Sequence, residues 1–216
     1  MKTKLLTITA LAAFLINAAF AGTGSLSTGY GSDVFRRGSL ISEDSLQTQA
    51  SYTASRAGFD LTAAASTAHS TGADSDVYIL SGGIGKSLGS LLSVYGGIEH
   101  FEQLDGASNL DVVLSADLDI VLNPTVSAAR NVDQDQYTFE AGVSQSVSVN
   151  SIDLSIRGAL GNTDLNNGDN VDYYSVGVGA SKSLAKNLVL SISADQVNSD
   201  VIESDCIVAA ALTASF

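Results

Sequence analysis

Residues 137–157 read YTFEAGVSQSVSVNSIDLSIR, and alternate side chains in them belong to two different classes. Tyr137, Phe139, Ala141, Val143 and Val147 fall on one side; Thr138, Glu140, Gly142, Ser144 and Ser146 fall on the other. After a break at Asn150, Ile152, Leu154 and Ile156 resume against Asp153, Ser155 and Arg157. A period of two puts alternate side chains on opposite faces of an extended chain. The stretch therefore reads as a hairpin with one apolar and one polar face.

The same alternation continues in both directions. Leu46, Ala50, Tyr52 and Ala54 alternate with Gln47, Gln49, Ser51 and Thr53, while Leu110, Val112, Leu114 and Ala116 alternate with Asp111, Ser115 and Asp117. Cys206, Val208, Ala210, Leu212, Ala214 and Phe216 share the last apolar face. The pattern predicts about twelve strands near 22–31, 45–54, 58–68, 77–86, 90–101, 109–118, 122–131, 136–148, 151–161, 171–182, 187–196 and 206–216. Short connections fall near 55–57, 87–89, 119–121, 149–150 and 183–186; longer polar ones fall near 32–44, 69–76, 102–108, 132–135, 162–170 and 197–205. Such sorting points to an all-β fold: a transmembrane antiparallel up-and-down barrel of outer-membrane type, with short periplasmic turns, longer extracellular loops and both termini in the periplasm. Similar stretches at Lys86–Val94 and Lys182–Ile192 fit a barrel built of repeated hairpins. Two strands resist the pattern. Val77 and Ile79 compete with Tyr78, Leu80 and Ile84 for the outward face, and Arg130 shares a parity with Val126 and Ala128, so a bulge is expected in each.

The ends agree with this reading. Lys2 and Lys4, an apolar run from Leu5 to Phe14 and Ala19-Phe20-Ala21 have the form of a secretory leader, residues 1–21, leaving 22–216 as the barrel. The formal charge of −13 should repel nucleic acid and other polyanions, and no nucleic-acid partner is expected. One cysteine, Cys206, rules out an internal disulfide and a cysteine metal site.

At Ser32-Asp33-Val34-Phe35-Arg36-Arg37-Gly38, followed by Ser42-Glu43-Asp44 and Leu46 to Tyr52, the chain resembles the TorF family of bacterial porins. It departs from that pattern at Val34, at the extra arginine before Gly38 and in lacking a proline ahead of Leu46. Leu122-Asn123-Pro124-Thr125-Val126-Ser127 with Asp133 and Tyr137 to Glu140 is similar to a strand pair of related porin-like families. The resemblance implies an outer-membrane channel.

With the apolar faces turned to lipid, the inward set is Asp60, Glu99, Asp111, Asp117, Glu140, Asp153 and Asp195 against Arg157. Such an acidic lumen gives a weak preference for cations, or else is solvated without a selective role. Arg157 is expected near Glu140, either as a structural pair or as part of a constriction. Arg36 and Arg37 are expected as a solvated loop pair, with an inward fold or a contact to lipopolysaccharide phosphate as the alternatives. His69-Ser70 and Glu99-His100 lack the serine elbow or carboxylate pairs of outer-membrane hydrolases, and His69 with Asp74 or Asp76 fixes no metal geometry. No enzyme activity and no cofactor are expected. The acidic loops have divalent cations or plain solvation as their two readings. The chain is thus expected in the bacterial outer membrane as a passive channel for small hydrophilic solutes, with a non-conducting structural or receptor barrel as the alternative. Its expected partners are outer-membrane lipid, lipopolysaccharide and the barrel-assembly machinery. Phe216 is the expected assembly signal, and its deletion is expected to reduce the heat-modifiable, folded barrel in membranes; unchanged assembly would remove that role.

Overall fold

The computed structural model describes residues 22–71, 76–104, 106, 108–165 and 168–216; the expected leader at 1–21, and Asp74 and Asp105 of the expected acidic loops, lie outside them. Twelve strands follow one another: β1 (Thr23–Arg36), β2 (Ser39–Arg56), β3 (Phe59–Ser70), β4 (Val77–Leu88), β5 (Leu92–Gln103), β6 (Ser108–Leu118), β7 (Thr125–Asn131), β8 (Gln136–Val149), β9 (Ile152–Asp164), β10 (Asn170–Ala185), β11 (Leu188–Ser199) and β12 (Ile202–Ser215). Each pairs antiparallel with its sequence neighbours, and β1 pairs with β12 to close the barrel. Both barrel termini lie at one end, called the terminal end below; the other is the distal end.

The register carries the alternation around the wall. Leu61, Ile84, Gly96, Leu114, Ala128 and Phe139 form one outward row, and Val147, Leu154, Ala180, Ile192, Ala210 and Tyr30 lie along another. Large outward side chains such as Leu114, Leu160, Val178 and Ile192 are exposed, as a surface facing acyl chains requires. Tyr30, Tyr78, Tyr137 and Tyr174 stand toward the distal end of this band, while Phe59 and Phe216 stand toward the terminal end. Aromatic rings at both borders fit the girdles of membrane barrels, where an apolar ring body meets polar headgroups.

The connections depart from the expected sorting. The expected loop at 32–44 is a two-residue turn at Arg37-Gly38, because both residues take left-handed φ values, 50° and 86°, that match the twist of the flanking strands. The expected loop at 197–205 contracts to Asp200-Val201 as β11 and β12 run on. At the terminal end, β7 begins only at Thr125, since positive φ at Leu122 and Asn123 turns the chain there. Neither β4 nor β7 contains the expected bulge; both keep one register with each neighbour. Val77 and Ile79 face an apolar part of the lumen while Tyr78, Leu80 and Ile84 face outward, so both faces of β4 have apolar partners. Arg130 sits at the distal rim, paired with Asp135 at 2.8 Å and 5.5 Å above the Tyr137 ring.

A cation on the lipid face near mid-membrane loses its hydration, whereas one in an aqueous lumen keeps it. Val178→Arg, between Ile156 and Ala194 in mid-β10, is therefore expected to lower stability by about 2–4 kcal/mol in vesicle denaturation experiments. Ser191→Arg, which faces the lumen cavity, is expected to have a much smaller effect.

Candidate functional site

Beyond Gly31, β1 leaves β12: their pairing stops at Gly31 opposite Ala209, and the Val208 amide donates to Ser32 Oγ instead. The register with β2 then slips between Val34 and Phe35. Asp44 takes a left-handed φ of 44° and accepts a hydrogen bond from the Tyr30 hydroxyl. These irregularities release the hairpin from the wall, and it leans across the lumen.

The tip is held on two sides. On one, Arg36 donates to Glu99 at 2.5 Å and to Asp111 at 2.6 Å, and Arg37 donates to the same Asp111 oxygen at 2.6 Å. The Asp111 side chain is fully buried, and those of Arg36 and Arg37 are 17% and 20% exposed. Arg36 also lies 4.7 Å over the Phe101 ring. On the other side, Thr163 Oγ1 donates to the Arg37 carbonyl at 3.4 Å, and the Phe35 ring meets Tyr173 edge-on at 5.8 Å. A Cβ on Gly38 would press into Val171 and Tyr173, and φ is positive there, so glycine is required for both reasons. Val34 and Ile41 pack on Ala68, Val77 and Phe101, filling the distal lumen with apolar side chains.

The sequence-predicted lumen residues all take the inner parity. Glu99 and Asp111 face each other on β5 and β6 and hold the hairpin arginines. Glu140 lies opposite Gly161 and accepts from the Tyr173 hydroxyl at 2.8 Å. Arg157 does not meet Glu140. It lies opposite Ser144, four positions along β8 from Glu140, and donates through Nε to Asp195 at 2.7 Å, with a second contact through Nη2. The bridge passes over Gly177, the register partner of both residues, where a Cβ would collide with the Asp195 carboxylate. Asp60 and Asp153 lie near the terminal end and accept from Ser55 and Ser148, and Asp117 lies opposite Ser93.

Arg36 and Arg37 are not the solvated loop pair expected first; they take the inward alternative and sit in the lumen. The sequence did hold a sign of this: Val34, Phe35, Leu40 and Ile41 flank the turn, and a solvated loop has no use for four apolar side chains. Tyr173 and Phe101 were missed as lumen residues. The candidate hydrolase pairs are split across the wall, since adjacent strand residues point oppositely. Ser70 is buried and donates to the Glu43 carbonyl, whereas His69, on the other face, pairs with Asp76. Glu99 faces inward and His100 outward, between Leu80 and Leu110.

Below the hairpin the lumen opens into a cavity of about 450 Å³ lined by Ser146, Asp153, Ser155, Arg157, Ser191 and Ser193, among others. A smaller space of about 180 Å³ remains between Val34 and Gln47, Gln49, Ser66 and Ile79. The inner wall thus offers hydroxyls, carboxylates and paired arginines, and the hairpin lies across its distal part.

No family model matches the chain, and no curated protein matches its sequence. Solved structures do. The KdgM porin is 13% identical with a TM-score of 0.61, over 89% of this chain and 99% of its own. It has also been solved in complex with disordered oligogalacturonate, with a TM-score of 0.59 to this chain. An outer-membrane channel from Pseudomonas putida F1 is 12% identical with a TM-score of 0.61, over 91% and 96% of the two chains. The NanC porin is 8% identical with a TM-score of 0.59, over 88% and 98%. At these identities the likeness is one of fold, and the fold is that of outer-membrane barrels.

Removing one partner from a buried ion pair strands the other, at about 3–5 kcal/mol. The native barrel in vesicles is expected to resist trypsin at Arg36 and Arg37, and a Glu99→Gln/Asp111→Asn variant to be cut there, as read by mass spectrometry. Equal resistance of both would mean that the ion cluster does not hold the hairpin.

Proposed function

We propose that the protein is a porin-like channel of the bacterial outer membrane, passing small hydrophilic solutes by passive diffusion with a weak preference for cations. The observation that carries this reading is the serine- and carboxylate-lined cavity inside a closed barrel whose outer face is apolar. The resemblance to the TorF porins and the fold shared with the KdgM and NanC porins agree with it. Residues 1–21 serve in this reading as an export leader that is removed.

The lumen charges bear on the solute. Arg36 and Arg37 balance Glu99 and Asp111, and Arg157 balances Asp195. Asp60, Asp117, Glu140 and Asp153 have no arginine against them in the described residues, so they set the net sign of the path. An anionic oligosaccharide of the kind seen with KdgM is repelled here, and neutral or cationic solutes are favoured. No step in this reading makes or breaks a bond. A second reading, a non-conducting barrel, has one observation in its favour: the hairpin fills the distal half of the lumen.

Single-channel recording in planar bilayers, with reversal potentials in a salt gradient, separates the two. Small cation-preferring openings are expected, with a preference that weakens as salt screens the acids. Glu140→Gln with Asp117→Asn and Asp153→Asn is expected to reduce the preference while the folded barrel persists. Replacing residues 34–41 by a short turn is expected to raise conductance several-fold. A silent bilayer with both the folded native protein and the shortened variant would overturn the channel and leave the structural barrel.

A further inference from the structure

Where the wall from β8 to β12 borders the lumen cavity, three inward rows cross it, and each brings a different chemistry. The row nearest the terminal end runs from Ser148 through Asp153 and Ser181 to Ser191. The next runs from Ser146 through Ser155 and Gly179 to Ser193 and Ala209. The third runs from Ser144 through Arg157 and Gly177 to Asp195. Successive rows, two residues apart on each strand, are separated by about 7 Å. The middle row holds nothing larger than serine, and a cavity of about 450 Å³ opens over it. That volume falls within the roughly 300–1,000 Å³ of small-molecule pockets.

The two flanking rows differ in the charge they leave over. Asp195 takes Nε and Nη2 of Arg157, so this cation is matched, and Nη1 is left beside Gly179, 3.9 Å from where a Cβ would stand. Nη1 can donate a hydrogen bond to the cavity, but a solute carboxylate brought to it would also meet Asp195. Asp153 has no arginine against it among the described residues and accepts only from Ser148, through Oδ1. Between the two lie the hydroxyls of Ser155, Ser181, Ser191 and Ser193, each able to donate and to accept. The cavity thus presents one uncompensated carboxylate, a bed of hydroxyls and one guanidinium donor.

We infer that this cavity is a binding subsite for a small polyhydroxylated solute bearing one protonated amine, with the amine on Asp153 and the hydroxyls on the serines and Arg157 Nη1. The inference deepens the channel reading and rests on it for the solute's route to the cavity. An ammonium on a carboxylate makes charge-assisted hydrogen bonds, whereas a hydroxyl on serine exchanges one neutral bond for another that water would make. The amine therefore sets the preference, and binding stays weak enough for the solute to leave.

The test is saturation-transfer NMR of the folded full-length barrel in detergent micelles with glucosamine, glucose or glucuronate, below neutral pH, where the amine is protonated and the glucuronate carboxyl ionised. Glucosamine is expected to bind several-fold more tightly than glucose, and glucuronate more weakly than both. Asp153→Asn keeps the side-chain size but removes the charge-assisted bond, so glucosamine and glucose are expected to be held to within about twofold of each other. Asp60→Asn is the charge-matched comparison. Asp60 also accepts from a serine near the terminal end, but it lies on β3, diametrically opposite β9 in the ring and outside the cavity; its variant is expected to keep the glucosamine preference. Gly179→Val, whose side chain presses on Ser155 and fills the cavity, is expected to weaken binding of all three sugars several-fold, with heat-modifiable migration confirming that each variant is folded. Equal binding of glucosamine and glucose by the native protein would make the cavity a plain polyol site and overturn the amine assignment. An equal loss of preference in Asp153→Asn and Asp60→Asn would assign it to the general field of the lumen and overturn the site. The measurement needs no conduction: a barrel that conducts without holding glucosamine loses the subsite and keeps the channel, and one that holds glucosamine but stays silent in a bilayer keeps the subsite and loses the channel.

Discussion

Lipid offers no hydrogen-bond partner to a backbone amide or carbonyl, so a sheet that crosses it cannot have an edge. The pairing of β1 with β12, from Ser25 opposite Ser215 to Gly31 opposite Ala209, removes the edges this chain would otherwise have. Once the sheet is closed, each strand has an inside and an outside, and the period of two in the sequence becomes a division between water and lipid. The short serine, glycine and alanine side chains then matter as much as the large ones. They thin the inner wall and leave space at its centre, and at Gly177 they let Arg157 and Asp195 meet across an intervening strand.

Twelve strands enclose more than side chains alone would fill and less than a wide pore. The chain divides the space. Toward the terminal end the lumen stays open and hydroxyl-lined, and toward the distal end the β1–β2 hairpin fills it. The register of β1 with β12 ends at Gly31, with the Val208 amide on Ser32 Oγ beyond it, so the hairpin is free to turn inward, and two sets of contacts fix where it stops. Arg36 and Arg37 share the buried Asp111 with Glu99 beside it, and Phe35 and Gly38 rest on Tyr173 and Val171. The first set is electrostatic and the second is packing. Because the two act on opposite flanks of the tip, neither alone determines its position.

The fold was legible in the sequence because the wall obeys a local rule. Each strand announces its faces through alternation, and neighbouring strands need only the antiparallel connection to find their register. What was not legible depends on contacts distant in sequence. Arg37-Gly38 lacks the Asn-Gly or Asp-Gly signal of a tight hairpin, and the charges around it resemble those of a solvated loop, so nothing local shows that Glu99 and Asp111 await them. The same gap explains β4. Val77 and Ile79 looked misplaced only while the distal lumen was taken to be aqueous; the inserted hairpin gives them apolar partners and removes the need for a bulge. For Arg157, parity gave the correct face, yet the choice between Glu140 and Asp195 turned on how far along the neighbouring strands each carboxylate lies and on a glycine between them.

The choice of cation follows the same physical division. Among the described residues, every base placed in the lumen is an arginine, and each one pairs with carboxylates at short range. A planar guanidinium engages two acceptors at once and is weakly hydrated, which suits a partly desolvated pair. At the terminal outer rim, where the need is to reach from an apolar surface into a hydrated layer, lysine prevails, at Lys86, Lys182 and Lys186. A compact ammonium on a flexible stem keeps its water and orders few neighbours. Arginine thus neutralises selected carboxylates of the inner face, while among the described residues Asp60, Asp117, Glu140 and Asp153 have no arginine against them. The placing of charge is in this way settled by the same alternation that builds the wall, because one residue's step along a strand decides whether its charge faces the lumen or the lipid.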